Sequence, residues 1–356
     1  MTHGIIPPYL LRRIARLEDA RYAVAAHAAR VALEHDKRFR SVRFDLGFDE
    51  NNDLVATLVD APDRTISDAA GTMTIPGTPV RREGDDPTGD PATDEAYDGL
   101  GATFALYSEV YGRNSIDGTG LPLDATVHYG DLYDNAFWDG ERMVFGDGDG
   151  EIFTRFTASL SVIGHELAHG VTQYTAGLVY RDQSGALNES ISDVFGALVE
   201  QHSRGQSVTE ASWLIGEGIF TTEVEGSALR SLRAPGTAYD DDVLGTDPQP
   251  AHFDDYIQTD EDGGGVHLNS GIPNRAFYLV AESLGGNAWD RAGQIWYDAI
   301  NGPTLTARAD FAQFATATVA AAAQRYGGES AEVSAVNEGW AGVGIAAQPP
   351  RGAGSD

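Results

Sequence analysis

Between residues 10 and 38, apolar positions recur at close to 3.6 residues. Leu10, Leu11, Ile14, Leu17, Ala20, Val24, Ala28, Val31 and Leu33 form a stripe between charged faces, which predicts one amphipathic helix. Residues 41 to 60 alternate weakly, as in Ser41-Val42-Arg43-Phe44-Asp45-Leu46, and predict a strand or hairpin. From Asp60 to Pro91 glycine, proline, aspartate and threonine dominate, predicting turns with short strands. A helical stripe returns over Ala96 to Tyr111, and residues 121 to 150 predict strands and turns around Asn135 to Trp138. After Ala158 the pattern is mostly helical to Val343, followed by a tail of small residues that begins near Pro349 and Pro350. A β-rich half followed by a helical half is the pattern of an α+β chain with two lobes.

The chemistry concentrates at His165-Glu166-Leu167-Ala168-His169. Positions four apart share a helix face, so both imidazoles can grip one metal ion while Glu166 looks toward the same opening. The flanking Ser161-Val162-Ile163-Gly164 and Gly170-Val171 are small or apolar, as in a buried helix and unlike a solvated face that happens to carry two histidines. A second block, Gly185-Ala186-Leu187-Asn188-Glu189-Ser190-Ile191-Ser192-Asp193, places Glu189 and Asp193 four apart. Glu189 is the obvious third ligand. Two neutral nitrogens and one anionic oxygen, with a position left for water, make a catalytic rather than a structural zinc set. Asp193, in an apolar stripe, is costly unless paired, and is expected to accept the free ring N–H of a ligand histidine. The reading is a zinc hydrolase.

Composition bounds this further. At 356 residues the chain has room for two domains. The net charge is −30 with a single lysine, Lys37, so nucleic acid and anionic membrane are poor partners. There is no cysteine, hence no disulfide and no guide to compartment. No run approaches a membrane-spanning length, and the apolar head is broken by Pro7 and Pro8 and followed by arginines, unlike a secretory signal.

The two motif blocks, HELAHGVTQYTAGLVY and SGALNESISDVFG, resemble the thermolysin-like zinc endopeptidases. Asn135-Ala136-Phe137-Trp138 with the Gly146-Asp147-Gly148-Asp149-Gly150 turn, and Asp262-Gly263-Gly264-Gly265-Val266-His267, match as well. The resemblance covers about residues 64 to 346. The head, Gly4-Ile5-Ile6-Pro7-Pro8-Tyr9-Leu10-Leu11, looks like the short propeptide of the protealysin-type branch.

What the resemblance implies is specific. The fold would be a two-lobed thermolysin-like zincin: propeptide 1–45 (boundary between 38 and 63), β-rich lobe 46–174 including the zinc helix, helical lobe 175–346, tail 347–356. Glu166 would be the general base, Tyr180 and His267 the oxyanion donors, and Asp262 the group orienting His267. Asn188 would support the ligands beside Asp193. Asn135 and the backbone of Ala136 would pair with extended peptide, and Arg230 would contact the carbonyl just after the scissile bond. Phe153, Val162, Ile215 and Leu229 would line an apolar specificity pocket. Partners would be peptide substrates, the chain's own propeptide and, as an open question, a proteinaceous inhibitor, acting on a monomer. Secretion follows from the family; a cytoplasmic location stays open.

Calcium is where the sequence departs from the family. Glu200 and Glu217 remain, but Ser161, Leu214 and Ser212 stand at positions that carry carboxylates in calcium-rich members, and Ser227 at a later site. Two carboxylates are few for an ion that takes six to eight oxygens, so the double calcium site is expected to be lost and the Gly146–Gly150 run to be a plain turn. On the residues alone two rivals remain: a zinc-binding interaction module with a dead site, and a zincin acting on something other than peptides.

Overall fold

A computed structural model describes residues 3–39 and 61–347. The strand or hairpin expected over 41 to 60, and most of the expected propeptide boundary, lie outside the described residues. The chain divides into two compact units, Met1–Ala158 and Ser159–Asp356. The His165 helix belongs to the second of these units.

In the first unit the stretch expected as one helix is two, α1 (Pro8–Ile14) and α2 (Ala23–Phe39). Between them the Asp19 side chain accepts the Arg21 N–H and starts a 3-10 turn, Ala20–Tyr22. A short acidic side chain that captures nearby backbone N–H groups starts helices and does not continue them. The hydrophobic period carries straight across this break and cannot reveal it.

The unit is built on a mixed sheet with strand order β1-β5-β6-β4-β2-β3. Its strands are β1 (His3–Gly4), β2 (Arg64–Asp68), β3 (Thr78–Arg82), β4 (Leu123–Val127), β5 (Ala136–Trp138) and β6 (Met143–Phe145). β5 and β6 are buried throughout, so they read as short apolar runs rather than alternating ones. Helix α3 (Pro91–Ala105) is capped by Asp90, which accepts the Thr93 N–H, with Pro91 in the first turn; it runs on as a π-helical turn, Leu106–Val110.

The head of the chain is the sheet's edge. β1 runs antiparallel to β5, His3 opposite Trp138 and Gly4 opposite Phe137. Ile5 N–H donates to the Ala136 carbonyl at 3.0 Å and Ile6 N–H to Asn135 Oδ1 at 3.0 Å. Gly4 leaves room for the Asn135 side chain: a Cβ there would lie 2.3 Å from Asn135 Nδ2, and that amide would have to shift. Helix α2 adds two anchors: Ala25 N–H donates to Glu151 at 2.9 Å, and His35 Nε2 hydrogen-bonds Tyr129 OH at 2.7 Å beside the Tyr133 and Phe137 rings.

The Gly146–Gly150 run is a tight turn. Asp149 Oδ1 accepts the N–H groups of Glu151, Ile152 and Phe153, and Asp147 pairs with His128 at 2.8 Å. Asp134 is fully buried in the same region. Burial, reinforced by the Asp149 carboxylate, holds its carboxyl well above the ordinary range. The folded chain therefore keeps a proton there that the unfolded chain releases. The contribution of this one group to stability is fully present below the unfolded value of about 3.9 and is lost as pH rises toward the folded pKa, by up to about tenfold in the folding constant per pH unit. Asp134→Asn should flatten that decline and raise the urea midpoint at pH 7. An unchanged slope between pH 4.5 and 7 would show that no proton is held at this position.

The second unit is mainly helical: α4 (Leu160–Gln173), α5 (Asp182–Arg204), α6 (Asp262–Asn269), α7 (Gly271–Leu284), α8 (Ala292–Asn301), α9 (Phe311–Tyr326) and α10 (Ala331–Ala341). The expected mostly helical character after Ala158 holds for the unit as a whole, but residues 205–261 carry two short ribbons, β7 (Leu214–Ile215) with β8 (Arg230–Ser231) and β9 (Asp240–Asp241) with β10 (Gly245–Thr246). Left-handed Gly205 ends α5, and further left-handed glycines at 216, 218, 236 and 245 keep the segment turning. The core between helices includes Trp296 and Trp340, whose rings stack 6.0 Å apart.

Candidate active site

Helices α4 and α5 carry the site because two glycines let them touch. A Cβ on Gly196 would lie 2.5 Å from the Ser161 carbonyl, and one on Gly164 would lie 3.0 Å from Gly196 Cα. With nothing larger between the backbones, Glu189 on α5 reaches the two histidines of α4. The carboxylate of Glu189 stands 3.5 Å from His165 Nε2 and 3.5 Å from His169 Nε2, and those two nitrogens are 3.1 Å apart. All three side chains are buried, and among the described residues they form the one cluster of three or more His, Cys, Asp or Glu side chains whose ligand atoms converge.

The far side of each imidazole is already occupied. His165 Nδ1 lies 2.8 Å from Asp193 Oδ1. His169 Nδ1 lies 2.8 Å from Asn188 Oδ1 and 3.0 Å from Ser192 Oγ. Holding both rings by Nδ1 leaves both Nε2 lone pairs aimed at one point beside a carboxylate, and that donor set fits zinc. Burial lowers the His169 pKa to about 3, which keeps the ring neutral and able to donate its lone pair. Burial opposes the charge on Glu189, but His267, His169 and His165 outweigh it and keep the carboxyl below the usual range.

Asp193 is held more strongly still. Burial would raise its pKa, but Arg230 and His165 outweigh it and hold the carboxyl well below the ordinary range. Arg230, buried beside it, donates from Nε to Oδ2 at 2.9 Å and from Nη2 to Oδ1 at 2.8 Å. This two-pronged pairing ties β8 to α5, and nothing in the spacing of the two residues announces it.

Tyr180 and His267 complete the cluster. The Tyr180 hydroxyl donates to Glu189 and lies 3.2 Å from His267 Nε2. Asp262 reaches His267 twice: Oδ2 accepts the backbone N–H at 3.0 Å, and Oδ1 meets ring Nδ1 at 2.8 Å. That double grip depends on a left-handed turn through Asp262, Gly263, Gly264 and Gly265, all at positive φ, which three consecutive glycines make accessible. Burial lowers the His267 pKa, but Asp262 and Glu189 outweigh it and raise the pKa to about 9. Burial, with Glu189 next, pushes the Tyr180 phenol well above its usual range. Both groups therefore keep a proton to donate at neutral pH. Glu166 is fully buried on the same helix, and its charge is felt at Tyr180.

Comparisons with known proteins agree with this chemistry. Two family models match, the thermolysin metallopeptidase catalytic domain over residues 42–173 and its alpha-helical domain over residues 176–345. An "Extracellular metalloprotease" of Pectobacterium carotovorum subsp. carotovorum is 49% identical over 343 residues, covering 96% of both chains. The chain belongs to the thermolysin metallopeptidase family. A "Thermolysin" of Alicyclobacillus acidocaldarius subsp. acidocaldarius is 42% identical over 263 residues, 72% of this chain and 46% of that one. The solved precursor of protealysin, a metalloproteinase from Serratia proteamaculans, superposes with a TM-score of 0.87 at 50% identity, covering 97% of this chain and 100% of that one. The protein is thus a zinc metallopeptidase with the thermolysin-like fold, a sheet-containing catalytic domain and a helical domain.

The other expected residues of this metallopeptidase fall in two places. Val162, Ile215 and Leu229 are buried in the second unit, where Ile215 opens the β7–β8 ribbon pairing opposite Arg230. Asn135, Ala136 and Phe153 belong to the first unit, the first two at the β5 edge already taken by β1. Ser192 escaped the sequence reading. It lies three residues after Glu189 and four after Asn188, so the helical period would have put it on the same face.

Proposed function

We propose that the chain is the latent form of a neutral endopeptidase that cuts on the amino side of bulky hydrophobic residues. The observation that carries this reading is the His165–His169–Glu189 cluster with Tyr180 and His267 at its rim. Zinc held by these three side chains would supply the Lewis acidity that activates water and polarises the scissile carbonyl. Glu166 takes the proton of the attacking water and delivers it to the leaving nitrogen. Tyr180 and His267 donate hydrogen bonds to the oxygen that gains charge as the carbonyl becomes tetrahedral. Asp262 holds the His267 ring in place for that, and Asp193 and Asn188 fix the two ligand rings.

Extended peptide would add to β5 through Asn135 and the Ala136 backbone, a strand-addition mode. The head segment now holds that edge: β1 pairs with β5, and Ile6 N–H uses Asn135 Oδ1. This supports reading the head as a propeptide that denies the edge to substrate until it is cleaved off. Arg230 would serve the residue after the cut, and Val162, Ile215 and Leu229, buried apolar residues of the second unit, would line its pocket. Burying a hydrophobic side chain is worth about 1.5–3 kcal/mol, enough for a tenfold to hundredfold preference. Peptide-library profiling should therefore show Leu, Phe, Ile or Val just after the cut. A preference for Lys, Asp or Gly there would refute the pocket assignment.

Secretion is supported by relatives described as extracellular. The calcium sites are read as lost. Glu200, whose pKa is raised mainly by burial, is met by Arg204 at 2.7 Å, and Ser161 Oγ accepts the Gly216 N–H at 3.1 Å. Casein and furylacryloyl-peptide hydrolysis should stop with a zinc chelator and return with zinc, while a calcium-selective chelator leaves activity and stability in place. Activity that survives zinc removal would refute the mechanism, and sharp denaturation by the calcium chelator would refute the calcium reading.

A further inference from the structure

We propose that Asn274 is a positioning residue for the metal centre, its side-chain amide clamping Asp193 so that one carboxylate holds both His165 and Arg230. The inference rests on the zinc reading of the site and adds a part to it.

Asn274 lies on α7, one turn into the helix, and is fully buried. Its Nδ2 donates to Asp193 Oδ2 at 2.8 Å. Four nitrogens thereby surround the carboxylate: His165 Nδ1 and Arg230 Nη2 at Oδ1, Arg230 Nε and Asn274 Nδ2 at Oδ2. A carboxylate offers about four lone-pair sites, so Asp193 is saturated, with its donors arriving from α4, β8 and α7. The Arg230 fork fixes the plane of the carboxylate against β8. Asn274 adds a hold from a third direction, opposing any tilt that would draw Oδ1 away from His165.

Asn274 does little else for the fold. Ser270 is the N-cap residue of α7, and Asn274 lies inside the helix, where asparagine is a poor helix former. Its Oδ1 is buried with no hydrogen-bond partner among the described residues, which lowers stability. Leucine, of similar size, would remove that penalty and fill the same buried position on the helix. The amide thus contributes through its donor end, toward Asp193.

The test uses the full-length chain in a Glu166→Gln background, which prevents self-digestion. Asn274→Leu and Asn274→Ala are compared with the parent by zinc competition against a chromophoric chelator and by thermal unfolding of the metal-free protein. Groups that orient metal ligands change affinity by roughly 10- to 100-fold. Zinc dissociation constants should rise about tenfold in both variants, with the metal-free unfolding midpoint of the Leu variant equal to or above the parent's. Unchanged zinc affinity in either folded variant would overturn the proposal. So would a loss of affinity that only follows a loss of metal-free stability, which marks a structural residue. A parent chain that takes up no zinc would instead overturn the reading of the site itself.

Discussion

Replacing Glu166 by glutamine should leave a folded, zinc-binding chain that neither matures nor hydrolyses peptide at a useful rate. Glutamine keeps the shape of the side chain but cannot accept the water proton, and the loss of a positioned acid–base group lowers turnover by about 10²- to 10⁴-fold. Glu166 is wholly buried on the helix that presents both histidines, so no solvent carboxylate stands in for it. The rate is read as kcat/KM on a furylacryloyl peptide, after the head has been removed in trans by wild-type enzyme. Zinc content, measured on the same sample, separates a lost base from a lost metal. Maturation is followed by N-terminal sequencing. If the variant, incubated alone, still loses its head, the chain does not process itself.

The second large effect is expected at Asp193. Asp193→Ala strands the Arg230 guanidinium, which is 1% exposed and pairs through both Nε and Nη2 with this carboxylate. Breaking a buried pair from one side costs about 3–5 kcal/mol, because the remaining charge stays desolvated. The same change frees His165 Nδ1, now 2.8 Å from Asp193, and zinc affinity should fall by roughly 10- to 100-fold. Urea unfolding and zinc competition read the two effects separately. The double variant Asp193→Leu with Arg230→Leu should regain much of the stability, since no lone charge remains, yet none of the zinc affinity. Recovery of both together would mean that Asp193 matters only through folding.

These expectations divide by the range over which each interaction acts. The pairing of His165 with His169, and of Glu189 with Asp193, follows from a four-residue spacing, and a helix converts that spacing into a shared face without help from the rest of the chain. Turn chemistry is as local: left-handed glycines and the Asp149 side chain make the Gly146–Gly150 turn. The break between α1 and α2 is also local, but it comes from one Asp19 hydrogen bond that hydrophobic periodicity does not register. Residues 205–261 are the non-helical stretch of a mainly helical unit, where left-handed glycines keep the backbone turning.

The sequence by itself determined the metal set, its helix and the α+β order of elements, because each is written in residues a few positions apart. Only the tertiary structure decided what those residues lean on. Gly164 and Gly196 permit the close approach of α4 and α5; Arg230 and Asn274 converge on Asp193 from 37 and 81 residues away; β1 takes the β5 edge across more than 130 residues. Such contacts depend on which surfaces meet once the chain has collapsed, and no short-range pattern encodes that. The metal-binding groups were therefore legible in advance, while the scaffold that aims them and the segment that covers the β5 edge became visible only in the fold.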